Sequence, residues 1–201
     1  MGGRLPRLLI VFSAFLAGLL VCLGGIYYLT ARGPGAAPIS IPTAQIGGPF
    51  RLTDQNGATV TDQDLKGKTF LVFFGFTHCP DVCPTALYEI SQIMEKLGKD
   101  ADRTAALFIT VDPERDTPES MKDYLASFDP RIRGLTGDAA ALAAVAKAYR
   151  VYYKKVPLEG GDYTMDHTAI VYLMDKEGRF ISPFNMKRTA DAAAADLRKY
   201  L

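Results

Sequence analysis

Few side chains in this sequence of 201 residues can do chemistry beyond packing. It has three cysteines and two histidines. Cys79 and Cys83 lie together in Phe74–Pro84, FGFTHCPDVCP, with three residues between them. His167 lies far along the chain in Tyr163–Leu173, YTMDHTAIVYL. Two thiols this close can form a disulfide, work as a redox couple or hold a metal. Cytosolic redox motifs of this kind usually have two intervening residues. Three relax the geometry and leave room for an ion between the sulfurs. The pair also falls where an apolar run gives way to a helical pattern, where free backbone N–H groups and the helix dipole favour thiolates.

Two thiolates and one imidazole make a soft donor set of low coordination number. Thiolates select Cu(I), and imidazole suits both copper oxidation states, so copper is the expected ion. Structural zinc would need a fourth ligand, and no further cysteine or free histidine offers one. Cys22 is embedded in an apolar stretch and reads as a buried apolar thiol. His78 adjoins Cys79, but neighbouring side chains on extended backbone point to opposite faces, so it reads as a packing or hydrogen-bonding residue. The candidate metal ligands are therefore Cys79, Cys83 and His167. If the chain is instead a thiol:disulfide oxidoreductase, Cys79 and Cys83 are its redox-active catalytic pair, one attacking and the other resolving. His167 discriminates, because metal binding needs it and thiol exchange does not. A structural disulfide also stays open on spacing alone. Whether the chain is an enzyme is left open on this evidence.

Asp112-Pro113-Glu114-Arg115-Asp116 follows a strand-like run. Asp112 and Asp116 could touch a metal or a partner, but they are better read as orienting the loop beside a helix start. Tyr149, Tyr152 and Tyr153 read as one aromatic cluster serving packing or partner contact.

These residues need a scaffold, and the patterning supplies one. Phe50–Thr53 and Thr59–Val60 flank Asn56-Gly57, a hairpin turn signal. Thr69–Phe76, TFLVFFGF, is a nearly continuous apolar run that suits a strand covered on both faces. Ala86–Lys99 carries a helical stripe of Leu87, Ile90, Ile93, Met94 and Leu97 that ends at Gly98. Ala105–Val111 is a second buried strand. Thr117 and Pro118 are the N-cap and first residue of another helix, and Ala139–Tyr149 is a further one. Ala169–Met174 and Arg179–Phe184 are strands, and Thr189–Leu201 is the closing helix. Strands alternating with helices imply an α/β domain with helices on both faces of the sheet. A cysteine pair after the first central strand, with a final hairpin and helix, is the thioredoxin-like arrangement with an inserted strand and helix. In that arrangement His167, just before the strand at Ala169, falls beside the cysteine turn.

Leu8–Leu29 is an uncharged apolar run of about 22 residues, roughly 33 Å as a helix, enough to cross a bilayer core. It exceeds the usual length of a secretory signal core, so it is expected to be a retained transmembrane helix. Arg4 and Arg7 precede it and Arg32 follows, which puts the N-terminus in the cytoplasm and the domain outside. A single-pass protein of the bacterial inner membrane with a periplasmic domain fits. The expected organisation is residues 1–30 as cytoplasmic N-terminus and anchor, 31–44 as a Pro/Gly/Ala-rich tether, and 45–201 as the thioredoxin-like copper-binding domain. Net charge is +1. Beyond Arg4, Arg7 and Arg32, acidic side chains slightly outnumber basic ones, so no nucleic-acid partner is expected.

FGFTHCPDVCP, VDPERDTP, LTG with AYRVYY, and DHTAIVYLMD occur in the order and spacing of one family. From about Gly47 to the C-terminus the chain resembles the Sco (SenC) copper chaperones. That resemblance implies assembly of the binuclear copper centre of cytochrome c oxidase subunit II, with Cys79, Cys83 and His167 as copper ligands. It also implies thiol–disulfide exchange on the oxidase cysteines, and copper-donor or thiol-reducing proteins as further partners. The two activities are compatible, because reduced thiolates hold copper and the oxidised pair does not.

Overall fold

The apolar N-terminal run forms one helix, α1 (Leu5–Ala31). Its stretch Phe12–Thr30 is long and apolar enough to cross a membrane. Large side chains such as Phe12, Phe15, Leu20 and Leu29 are exposed on it. Two of its hydroxyls are satisfied within the helix, as hydrocarbon surroundings demand. The Ser13 hydroxyl donates to the Ile10 carbonyl and the Thr30 hydroxyl to that of Ile26, both at 2.9 Å. The computed structural model of the protein describes residues 5–31 and 45–201. Arg4, Arg32 and tether residues 32–44 lie outside the described residues.

The second compact unit is Ala44–Leu201. In chain order it holds β1 (Arg51–Asp54), β2 (Thr59–Thr61), β3 (Thr69–Gly75), α2 (Val82–Leu97), β4 (Thr104–Thr110), α3 (Pro118–Leu125), β5 (Ile132–Thr136), α4 (Ala139–Ala148), β6 (Tyr153–Pro157), β7 (Tyr163–His167), β8 (Val171–Met174), β9 (Phe180–Phe184) and α5 (Ala190–Leu197). Seven strands form one mixed sheet in the order β2-β1-β5-β4-β3-β8-β9, while β6 and β7 form a separate two-stranded ribbon. β3 pairs in parallel with β4, and β4 with β5; the other ladders are antiparallel.

The fold is α/β and thioredoxin-like, and its helices lie on both faces. All seven residues of β3 are buried. Phe73 faces the α2 side, where its ring stacks on Phe108 at 6.1 Å, and Phe108 meets Tyr124 of α3. Phe74 faces the other side and meets Tyr149, at the end of α4, and Tyr172. Tyr149 and Tyr172 touch edge to face in turn, and each such pair adds about 0.5–1.5 kcal/mol beyond burial.

The helix starts carry the expected caps. Thr117 Oγ1 accepts from the Ser120 N–H ahead of Pro118, and Asp138 and Thr189 cap α4 and α5 in the same way. The Asn56-Gly57 turn closes on Asp54, whose carboxylate accepts from the N–H groups of Asn56 and Ala58, each at 2.9 Å. Several sequence expectations need correction. α2 begins at Val82 rather than Ala86, so Cys83 belongs to its first turn. β5, β6 and β7 had no counterpart in the patterning. Tyr149, Tyr152 and Tyr153 are not one cluster, because Tyr149 is buried while Tyr152 and Tyr153 are exposed.

Candidate metal centre

β3 runs inside the sheet between β4 and β8 and delivers the chain to Thr77–Asp81, from which α2 departs. Cys79 closes this turn by donating its N–H to the Phe76 carbonyl at 3.2 Å. The Cys83 N–H, free at the helix start, donates to Cys79 Sγ at 3.4 Å. Neither cysteine is in a disulfide. Cys79 is half-buried and Cys83 fully buried, so the pair does not lie on an exposed loop. Gly75 makes the burial possible. A Cβ there would lie 2.7 Å from both Cys83 Sγ and a carbon of the Phe108 ring.

His167 is the last residue of β7 and pairs with Tyr153 across the ribbon. It does not directly open the buried strand, which starts at Val171. Its ring stands edge-on to Phe76, at 5.8 Å between centroids, and near Phe73 at 6.4 Å. Nδ1 lies 3.2 Å from the Thr168 carbonyl. A carbonyl only accepts, so Nδ1 carries the proton and Nε2 keeps its lone pair. Nε2 is 3.7 Å from Cys83 Sγ, a residue 84 positions away in sequence, and can accept from that thiol. Ligand atoms of Cys79, Cys83 and His167 all lie within 4.8 Å of one another. Among the described residues these three are the group of His, Cys or carboxylate side chains arranged to hold a metal ion.

The helix start does not turn Cys83 into a ready thiolate. Burial pushes its thiol far above the ordinary range; the Phe76 backbone opposes this in part, and Cys79 and Asp116 add to it. Burial also lowers the His167 pKa, against the smaller opposing pull of the Thr168 carbonyl and Asp166. At neutral pH the site therefore holds a neutral imidazole and a proton on Cys83. A soft cation arriving there displaces that proton.

The other candidates lie around the cluster rather than in it. His78 is half-exposed, with Nδ1 3.1 Å from Thr77 Oγ1 and 4.0 Å from Asp116. Asp116 is buried and accepts from the Thr77 N–H at 3.1 Å and from the hydroxyls of Thr77 and Thr110 at 2.6 Å. It thereby fixes the backbone two residues before Cys79. Asp112 is buried on the opposite side of the same loop, where it pairs with Arg115. Sequence reasoning missed Gly75, Thr168 and the Phe73–Phe76 cradle. The lone glycine within TFLVFFGF was the available signal for Gly75.

The family model SCO1/SenC matches residues 40–201. The chain belongs to the SCO1/SenC family. A SCO2-like protein of Rickettsia prowazekii is 37% identical over 94% of this chain and 94% of its own length. The solved structure of Bradyrhizobium japonicum ScoI with copper bound is 67% identical, with TM-score 0.76 over 78% of this chain and 99% of that one. A more distant structure, BsSco, is 25% identical with TM-score 0.63 over 78% of this chain and 94% of that one. It is described as having a disulfide switch and as a member of the Sco family of cytochrome c oxidase assembly proteins.

Proposed function

We propose that this protein is a membrane-tethered copper metallochaperone. It holds copper through Cys79, Cys83 and His167 and supports assembly of cytochrome c oxidase, with the copper centre of subunit II as acceptor. The observation that carries this reading is the convergence of two sulfurs and one imidazole nitrogen within 4.8 Å. Thiol exchange alone gives no reason for His167 to turn its lone pair toward Cys83. The donor set is soft, as Cu(I) prefers, and has the three ligands that leave a position for a partner's incoming ligand. Copper bound to the Bradyrhizobium relative supports the choice of ion. Arg4 and Arg7, ahead of the apolar run Leu8–Leu29, favour a cytoplasmic N-terminus and a periplasmic domain in a bacterial inner membrane. On this reading residues 1–30 anchor, 31–44 tether and 45–201 carry copper.

A second reading has its own support. The sulfurs are adjacent and unbonded, Cys79 is more accessible than Cys83, and the BsSco relative is described with a disulfide switch. In a thiol:disulfide oxidoreductase, Cys79 would attack and Cys83 resolve, keeping the oxidase cysteines reduced. Copper titration of the reduced chain beside His167→Ala separates the two. We expect one tightly held copper per chain, weakened about 10–100-fold in the variant with the fold intact. Absence of tight copper together with ready cycling of a Cys79–Cys83 disulfide would establish the oxidoreductase instead.

A further inference from the structure

The ribbon that carries His167 has little of its own to hold it. β6 and β7 pair only with each other, and an isolated two-stranded hairpin is marginal in water. Most ribbon residues are exposed or half-exposed, and Met165 is the buried one. Beyond Met165 in the core and the His167 ring against Phe76, what fastens it is largely polar and comes from the loop between β4 and α3. Arg115 Nε donates to Asp112 Oδ2 at 2.5 Å, and Nη1 donates to the Tyr163 carbonyl at 3.0 Å and to Asp162 Oδ1 at 3.3 Å. The guanidinium lies over the Tyr163 ring, 3.7 Å from its centroid. The Tyr163 hydroxyl donates to Asp112 Oδ1 at 2.9 Å, which closes a circuit across 51 positions of sequence. Lys155 adds an outer tie by donating to Glu114 at 2.7 Å. Asp112 is 1% exposed, so losing these partners would leave a buried carboxylate unpaired.

The far end of the same loop holds the cysteines. Asp116 accepts from the Thr77 N–H and hydroxyl. One short segment thus grips the histidine ribbon through Asp112 and Arg115, and the cysteine turn through Asp116.

We propose that the Asp112–Arg115–Tyr163 circuit sets the distance between His167 and the cysteine pair, making these three positioning residues for the metal site. The proposal rests on the reading of Cys79, Cys83 and His167 as ligands. Releasing Arg115 frees the ribbon, and His167 leaves the sulfurs while the two thiolates stay in place. Arg115 acts through His167, so its loss changes nothing further once the imidazole is gone.

The test uses the full chain in detergent, with Arg115→Ala and Tyr163→Phe each made alone and in a His167→Ala background. Amide exchange of Tyr153–His167 is measured without copper, and Cu(I) affinity by competition with a chromophoric chelator. Nitrogen hyperfine coupling of the Cu(II) form is the spectroscopic signature of imidazole ligation. We expect Arg115→Ala to speed ribbon exchange while that of β3 is unchanged, to weaken copper at least about tenfold and to diminish the nitrogen coupling. Tyr163→Phe, which removes one hydroxyl and keeps the ring, should move all three readouts the same way by less. In the His167→Ala background neither substitution should weaken copper further. Equal losses in both backgrounds, or unchanged ribbon exchange in both variants, would overturn the proposal. A wild-type chain without tight copper would overturn the functional reading. The exchange measurement would then decide the circuit by itself: faster exchange supports it and unchanged exchange refutes it.

Discussion

The two halves of the candidate metal site are built differently. Cys83 sits against β3, an interior strand of the sheet flanked by β4 and β8, with every residue of that strand buried. His167 sits on a ribbon outside the sheet, attached by ion pairs, ring contacts and hydrogen bonds. Hydrophobic burial is non-directional and collective, so the cysteine half inherits the stability of the whole core. The polar circuit is local, and a few bonds decide where the histidine half stands. On the proposed function the ribbon is the half that can open without disturbing the core, which suits a site that must give up its ion.

The sharpest way to break this contrast is to cut large side chains from each half. Phe74 is fully buried against Tyr149 and Tyr172, whereas Leu158 at the ribbon tip is 49% exposed. Phe74→Ala should cost about 3–5 kcal/mol of unfolding free energy, through lost burial and a cavity. Leu158→Ala should stay within about 0.5 kcal/mol. Urea unfolding of both variants checks this, and comparable losses would mean that the ribbon is as much part of the core as β3.

Glycines sharpen the comparison at smaller scale. Gly75→Ala places a methyl group 2.7 Å from Cys83 Sγ and the Phe108 ring. We expect a loss of about 1–3 kcal/mol from overpacking, and weaker copper because Cys83 must shift. Gly160 in the ribbon turn has φ +90° and open space around it. Gly160→Ala should cost about 1–2 kcal/mol of backbone strain and leave copper affinity unchanged. Denaturant midpoints and chelator competition on the two variants separate strain that reaches the site from strain that does not.

The same division governs what could be read from the sequence. The cysteine half was legible because its signals are local. A continuous apolar run marks β3, the apolar stripe from Leu87 to Leu97 marks α2, and Thr117-Pro118 marks a capped helix start. The ribbon was not legible. YKKVP and YTMDH are short and largely polar, the first mostly exposed and the second mostly half-buried, so neither has the alternation that marks a half-buried strand. β5 contains Arg133 and Gly134, and gains its place in the sheet from β1 and β4 rather than from its own pattern. Asp112, Arg115 and Tyr163 were visible as residues. Their circuit spans 51 positions, however, and no local spacing rule reaches that far. The three candidate ligands stand out because thiols and imidazoles are few in this chain. The burial that raises the Cys83 pKa against the helix dipole is a tertiary effect with no sequence signal.

The smallest effect compares two carboxylates, one beneath the cysteine turn and one paired with an arginine between α3 and β5. Burial raises the Asp116 pKa despite the hydrogen bonds from Thr110 and Thr77 that oppose it. Folded Asp116 therefore takes up a proton more readily than the unfolded chain does. Its contribution to stability is full below the ordinary carboxylate value of about 3.9 and is lost as pH rises through the raised value. Asp129 behaves oppositely. Hydrogen bonds from the Arg131 side chain, at 2.8 and 2.6 Å, lower its pKa. Its contribution is present above about 3.9 and is lost as pH falls through the lowered value. Urea unfolding of wild type, Asp116→Asn and Asp129→Asn between about pH 3 and 7 tests the difference. The gap between wild type and Asp116→Asn should narrow as pH rises, while that for Asp129→Asn should widen, each by on the order of 1 kcal/mol or less. Gaps that moved in the same direction would show that burial does not dominate at the carboxylate under the cysteine turn, and the dry cysteine half of the comparison would fall.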